Sequence, residues 1–293
     1  MKLILHADDY GISKEISDRI LECAKNNKIH RASIVCNTSY INEASLNLGK
    51  DTAVKLETGC HINLVEGKPV SEKQDVSLLI NKTGEFKYSF ISLWGRYIFS
   101  SRSKRKSLKQ QVSLEIKKQI EVYKDIFPSC DDEIHIDGHT HIHMIPFVLD
   151  IILELSIHYN ITSMRYPNEK FYFNIQSWRN YISSNILKYL ILKILCLTQK
   201  KKIEDRNIVT NDYFIGILAS GRMDRHAVKS SLERLKYSGK SNAIVEILFH
   251  PGGVNSHLSI DWTDKKGFIK YYSSKWRKKE YQFVNSFIIN KLN

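Results

Sequence analysis

The chain has 293 residues, 42% of them hydrophobic and 26% charged, with a formal net charge of +13. That balance excludes a disordered chain and suits a soluble globular protein with a large core. Its five cysteines (Cys23, Cys36, Cys60, Cys130 and Cys196) are odd in number and form no CxxC pair, which argues against a disulfide scaffold or structural zinc site and fits a reducing, cytoplasmic setting.

The opening MKLILHADDYG holds an apolar run too short for a signal peptide, and acids follow at once. A first strand is expected over residues 2–7. Ser13 then caps a helix over 14–27, with Ile16, Ile20 and Cys23 on one face. Strands are expected at 32–37 and near 54–64, and this β-helix-β order implies parallel pairing and an α/β class. Residues 66–107 carry turn signals at Gly67, Pro69 and Gly84. The basic cluster RSKRKSLK (102–109) reads as a solvated loop; it has no interleaved aromatics, so no nucleic-acid partner is expected. A long helix runs from about Leu108 to Phe127 and stops at Pro128.

Further strands are expected at 133–137, near 162–166, near 212–217 and at 243–249. Helices are expected over 146–158, from an Asp224 cap to about Tyr237, and over 276–291 with Tyr281, Val284 and Ile288 inward. Residues 167–209 read as an insertion around ILKYLILKILCL (186–197). That run is too short to span a bilayer. A buried or lid helix is the preferred reading, and a weak membrane-surface contact through 180–202 is the alternative. The expectation is one domain over 1–293, with insertions at about 66–130 and 167–209.

Four motifs end strands: HADDYG, GCHINL, HIDGHTHIH and FHPGG. In an α/β barrel the strand ends meet on one face, where active sites sit. Asp8 and Asp9, as neighbours in an extended segment, point different ways, so one can bind a metal while the other faces a substrate water. His61 follows Cys60, which should point the opposite way as a packed thiol. HIDGHTHIH holds His135, Asp137, His139, His141 and His143. Imidazole with carboxylate suits Zn, Mn, Fe or Co, and a carboxylate-rich variant suits Mg. Two histidines and one carboxylate leave positions open for water and substrate. The remaining histidines then orient ligands, and His135 is the expected structural member. His250, before Pro-Gly-Gly, is placed to act as a general acid, although alone it reads as a loop histidine. Trp94, Tyr172 and Trp178 are candidates to stack on a sugar ring, with core packing the preferred reading.

The four motifs, in the forms HADDYGIS (6–13), GCHINLVEGKPV (59–70), HIDGHTHIHMIP (135–146) and ILFHPG (247–252), resemble the YdjC-like family, which includes the ChbG-type chitooligosaccharide deacetylases. The resemblance spans most of the chain. It implies a distorted, seven-stranded TIM-like barrel that removes an N-acetyl group from an amino sugar. It implies a divalent metal, Mg by resemblance with Zn, Mn or Co chemically open, held by Asp9, His61 and His139. By analogy, Asp8 is the general base and His250 the acid. A homodimer is left open. The rival readings are a phosphoesterase, which wants basic phosphate clamps where the motifs offer no Arg or Lys, and a nucleic-acid binder exploiting the +13 charge.

Overall fold

The computed structural model describes residues 1–50, 55–127, 133–173, 175, 184–236, 241–253, 260, 262 and 268–287. Pro128, Cys130, Trp178, Tyr237, Ile288 and the end of the expected last helix lie outside them, as does residue 54 of the third expected strand.

Eight parallel strands form one curled sheet among the described residues, in the order β6-β5-β4-β3-β2-β1-β8-β7. They are β1 Lys2–Tyr10, β2 Arg31–Ile34, β3 Glu57–Ile62, β4 Ile134–Gly138, β5 Ile161–Met164, β6 Val209–Thr210, β7 Tyr213–Ile215 and β8 Ile244–Phe249. Runs such as LILHA and IVEILF are buried along nearly their whole length, as parallel strands with helices on one face and the packed barrel interior on the other must be. The result is the expected α/β architecture, a distorted TIM-like half-barrel. All seven expected strands are present. The eighth, β6, has two residues, too few to leave a pattern.

Helices wrap the sheet: α1 Lys14–Lys25, α2 Ile41–Lys50, α3 Phe90–Ile98, α4 Arg102–Ile126, α5 Pro146–Tyr159, α6 Ser184–Glu204, α7 Arg225–Lys236, α8 Phe268–Tyr272 and α9 Lys275–Ser286. Ser13 caps α1 by accepting from the Ile16 amide at 3.4 Å, and Asp224 caps α7 by accepting from the Ala227 amide at 2.9 Å. The basic cluster is not a loop. It forms the first two turns of α4, begun by Ser101, whose hydroxyl accepts from the Lys104 amide. Residues 102–106 are exposed all round, so they lack the apolar periodicity that marks Leu108, Val112, Ile116 and Ile120 further along the helix. Lys and Arg are nevertheless good helix formers. Trp94 and Tyr172 pack on or in the core.

Because every strand pair is parallel, the carboxyl ends of β1, β3, β4 and β8 lie at one edge. Register brings the motifs together: His61 pairs with Asp137, and Ala7 with Phe249.

Candidate metal centre and active site

β1 ends irregularly. Its pairing with β2 shifts between Ala7 and Tyr10, and Asp9 has φ +72°. A non-glycine residue in that region costs on the order of 1 kcal/mol or more, and short polar side chains bear it best. The consequence corrects the strand-alternation expectation: Asp8 and Asp9 both line one cavity of about 300 Å³. His139, Thr140, His141, Lys188, His250 and Tyr272 line it too.

Asp9 is the hub. Its Oδ1 lies 3.2 Å from His139 Nδ1 and 3.7 Å from His61 Nε2. Its Oδ2 lies 3.8 Å from His250 Nε2 and accepts from the Tyr272 hydroxyl. Asp9, His61 and His139 each present a ligand atom, and the three atoms lie within 4.8 Å of one another. His61 carries the most telling detail. Its Nδ1 is held 2.6 Å from Asp137 Oδ1, while its buried Nε2 has no hydrogen-bond partner among the described residues. A carboxylate that fixes one imidazole nitrogen and frees the other is the arrangement of a metal-ligating histidine.

Two other histidine and carboxylate groups are close enough to hold a cation: His6 with His135 and Asp137, and Asp8 with His61 and Asp137. Both use Asp137, whose oxygens are engaged by His61, by the Ser33 hydroxyl at 2.5 Å and by Arg165 at 2.7 Å. The Asp9, His61 and His139 group alone has two of its members, Asp9 and His139, on the cavity wall. His135 does not line the cavity; its Nδ1 lies 3.0 Å from the Ser163 hydroxyl. His143 Nε2 donates to the Arg165 carbonyl at 3.1 Å.

Arg165, at the end of β5, is fully buried. Its Nε donates to Glu246 at 2.6 Å, and its terminal nitrogens donate to Asp8 at 2.9 and 2.7 Å. Burial opposes charge on Asp8, but Arg165 and His61 outweigh it and hold the carboxyl well below its usual range. Burial likewise opposes charge on Glu246, yet Arg165 and His6 bring it down to about 2. For Asp9 the hydrogen bond from His139 overcomes burial. Burial also works against a charged His61, but Asp137 and Asp8 raise it to about 9. Three ionised carboxylates (Asp8, Asp137 and Glu246) thus surround one guanidinium, and a fourth, Asp9, stands next to Asp8 among the histidines. That surplus of negative charge, with the free His61 Nε2, fits a divalent cation.

His250 differs. Burial lowers it to about 4 despite Asp9 and Asp8, leaving a neutral ring at pH 7. Its amide is fixed by Glu280 at 2.5 Å. Arg165, Glu246, Lys188 and Tyr272 were not singled out from the sequence. Arg165 lies outside the four strand-end motifs, which themselves offer no Arg or Lys, and its donors are taken by carboxylates. Glu246 left a legible signal, a lone acid inside a buried strand, because such a residue needs a buried cation partner.

Glu169 secures the far wall. Its carboxyl accepts from the amides of Gly216, Ile217 and Leu218 at 3.0, 2.9 and 2.8 Å, and Gly216 borders the cavity. Burial raises Glu169 to about 7, more than those amides lower it. Between pH 4.5 and 7 the native group therefore holds a proton that the unfolded chain has lost. This contribution is full below pH 4.5 and fades as pH rises towards 7. Glu169→Gln should flatten that part of the stability profile in urea unfolding across pH 5 to 7.5. An unchanged slope would assign the loss to other groups, Glu280 first, which burial also raises to about 7.

The family model described as "YdjC-like protein" matches residues 2–291. A protein from Thermoanaerobacter pseudethanolicus named "Carbohydrate deacetylase" is 33% identical over 168 residues, covering 57% of this chain and 61% of that protein. One of the same name from Clostridium beijerinckii is 31% identical over 189 residues, covering 63% and 69%. The match thus spans about three fifths of the first relative's length. A crystal structure from Enterococcus faecalis V583, provisionally described as a cellobiose-phosphate cleavage protein, superposes with a TM-score of 0.61 at 18% identity over 97% of this chain and 95% of that one, which bears on the fold alone. With the family model covering almost every residue, strand-end motifs included, the chain belongs to the YdjC-like family.

Proposed function

We propose that the protein is a metal-dependent hydrolase that removes the N-acetyl group from an amino sugar. The observation that carries the reading is the unpartnered, carboxylate-pinned His61 Nε2 beside Asp9 and His139, two residues of the cavity wall, in a chain whose relatives bear the name carbohydrate deacetylase. Asp9, His61 and His139 would hold the ion. When bound, a divalent cation polarises an acyl oxygen and acidifies water near neutral pH.

The chain's own groups supply the rest. Asp8, kept ionised and oriented by Arg165, accepts a proton from the water that attacks the acetyl carbon. His250, anchored through its amide by Glu280, protonates the departing nitrogen. Because its resting ring is neutral, the proton it hands over is the one Asp8 took from the attacking water, relayed to His250 before the amine departs. The Tyr272 hydroxyl fixes Asp9 from the far side. Acetate and a free amine leave. Two imidazoles and one carboxylate favour Zn, Mn or Co, with Mg, the ion suggested by family resemblance, the weaker binder. Four buried free thiols, Cys23, Cys36, Cys60 and Cys196, fit the inferred cytoplasmic location.

The test is acetate release from a panel of N-acetylated sugars by protein stripped of metal and reloaded with each ion. Release restored by one of these ions supports the reading. A phosphoesterase is the second reading, favoured by Lys188 at the cavity wall. Phosphate release from sugar phosphates, without acetate release, would establish it instead.

Asp137→Ala should leave the ligands in place but unpin His61. Outer partners of this kind are worth about 10–100-fold in metal affinity. Competition with a fluorescent chelator would measure it, and an unchanged affinity would remove Asp137 from its positioning role.

A further inference from the structure

The cavity does not end at His250 and Tyr272. Thr140 and Lys188 are shared with a second groove of about 420 Å³, walled by Phe90 and Ile91 of α3 and by Leu187, Ile191 and Leu192 of α6. Both helices show solvent an apolar face beside it. On α6, Leu187, Leu190, Ile194 and Leu197 are each between 51 and 71% exposed. Their spacing of three, four and three residues puts them on one stripe. The helix already buries another apolar face, with Tyr189, Leu192, Leu195 and Cys196, so core packing does not explain this one. On α3, Ile91 and Ile98 are exposed, and Phe99 just beyond is 90% exposed.

Cations flank the apolar rim on both sides. Past Phe99 come the exposed Arg102, Lys104, Arg105 and Lys106, with no acid before Glu115. Arg105 donates to the Ile98 carbonyl, joining these turns to the end of α3. Past Leu197, the exposed Lys201 continues the stripe one turn on, while Lys200 and Lys202 beside it pair with Glu204 at 3.4 Å and Asp150 at 2.8 Å.

We infer that this rim docks on an anionic lipid bilayer, with the groove opening at the membrane surface. Apolar side chains from two elements, bordered by Lys and Arg at both ends, match the headgroup and acyl boundary of such a surface. Self-pairing of the same patch in a dimer would bring like charge against like charge on a chain of net charge +13. The inference reaches beyond the deacetylase reading and does not depend on it. No helix among the described residues is long and apolar enough to cross a membrane, so the contact is superficial.

The experiment is co-sedimentation of the full chain with vesicles of phosphatidylcholine alone or mixed with phosphatidylglycerol, at low and high salt. The wild type should bind the mixed vesicles about ten-fold or more tightly than the neutral ones, and salt should weaken that binding. Leu190→Glu/Ile194→Glu should abolish it while the circular-dichroism melt stays unchanged. If that pair fails to fold, the single change Leu197→Glu carries the same expectation. Absence of binding to anionic vesicles would overturn the inference. Binding undiminished in the glutamate variants would also overturn it, by assigning the contact to general charge. A wild-type dimer in light scattering that the variants split, without vesicle binding, would give the face to a second copy.

Discussion

Arg165→Ala is expected to cost about 3–5 kcal/mol of stability, the usual consequence of removing one partner from a buried ionic group. Asp8, Asp137 and Glu246 would be left without the guanidinium that contacts all three. Folded domains are stable by only about 5–15 kcal/mol, so the variant should express poorly and unfold at much lower urea. Arg165→Lys should not rescue it, because one ammonium cannot reproduce a planar fork that serves three carboxylates at once. The same network predicts acid sensitivity. The lowered pKa values of Asp8, Asp137 and Glu246 contribute stability that is present above the ordinary carboxylate range and lost as pH falls through the folded values. An unchanged urea midpoint in Arg165→Ala would mean that the carboxylates find other partners.

The second large effect concerns His61. His61→Ala deletes the unpartnered Nε2 and should reduce divalent-metal affinity by more than ~100-fold, beyond what an outer partner is worth. Acetate release should fall to background with it. The fold should survive, because Asp137 keeps Ser33 and Arg165. Full metal binding with activity lost would move His61 from ligand to another role. Full activity would remove it from the site.

Much of this was legible in the sequence because the fold is built from parallel strands. Runs such as LILHA and AIVEILF are apolar on both faces and mark themselves. Once they are strands of one parallel sheet, the polar motifs that end them must share an edge. That logic brought Asp8, Asp9, His139 and His250 to one cavity, with His61 3.7 Å from Asp9, across more than two hundred residues. What was hidden has physical reasons. The first turns of α4 are helical but exposed all round, so no periodicity betrays them. The left-handed turn at Asp9, which sends two adjacent carboxylates the same way, is a property of the backbone. Tyr272 reaches Asp9 from 263 residues away, and nothing near KYYSS announces it. Glu246 left a signal as an acid inside the buried strand β8, but Arg165, just past the end of β5, left none, and their pairing needed the sheet order.

The most direct measurement is the position and count of metal in crystals of the full chain soaked with Mn or Zn, located by anomalous scattering. The assignment predicts one ion bound by an Asp9 oxygen and one nitrogen each of His61 and His139, at about 2.0–2.2 Å if it is Zn. An ion held instead by His6, His135 and Asp137, or no ion at all at millimolar metal, would contradict it.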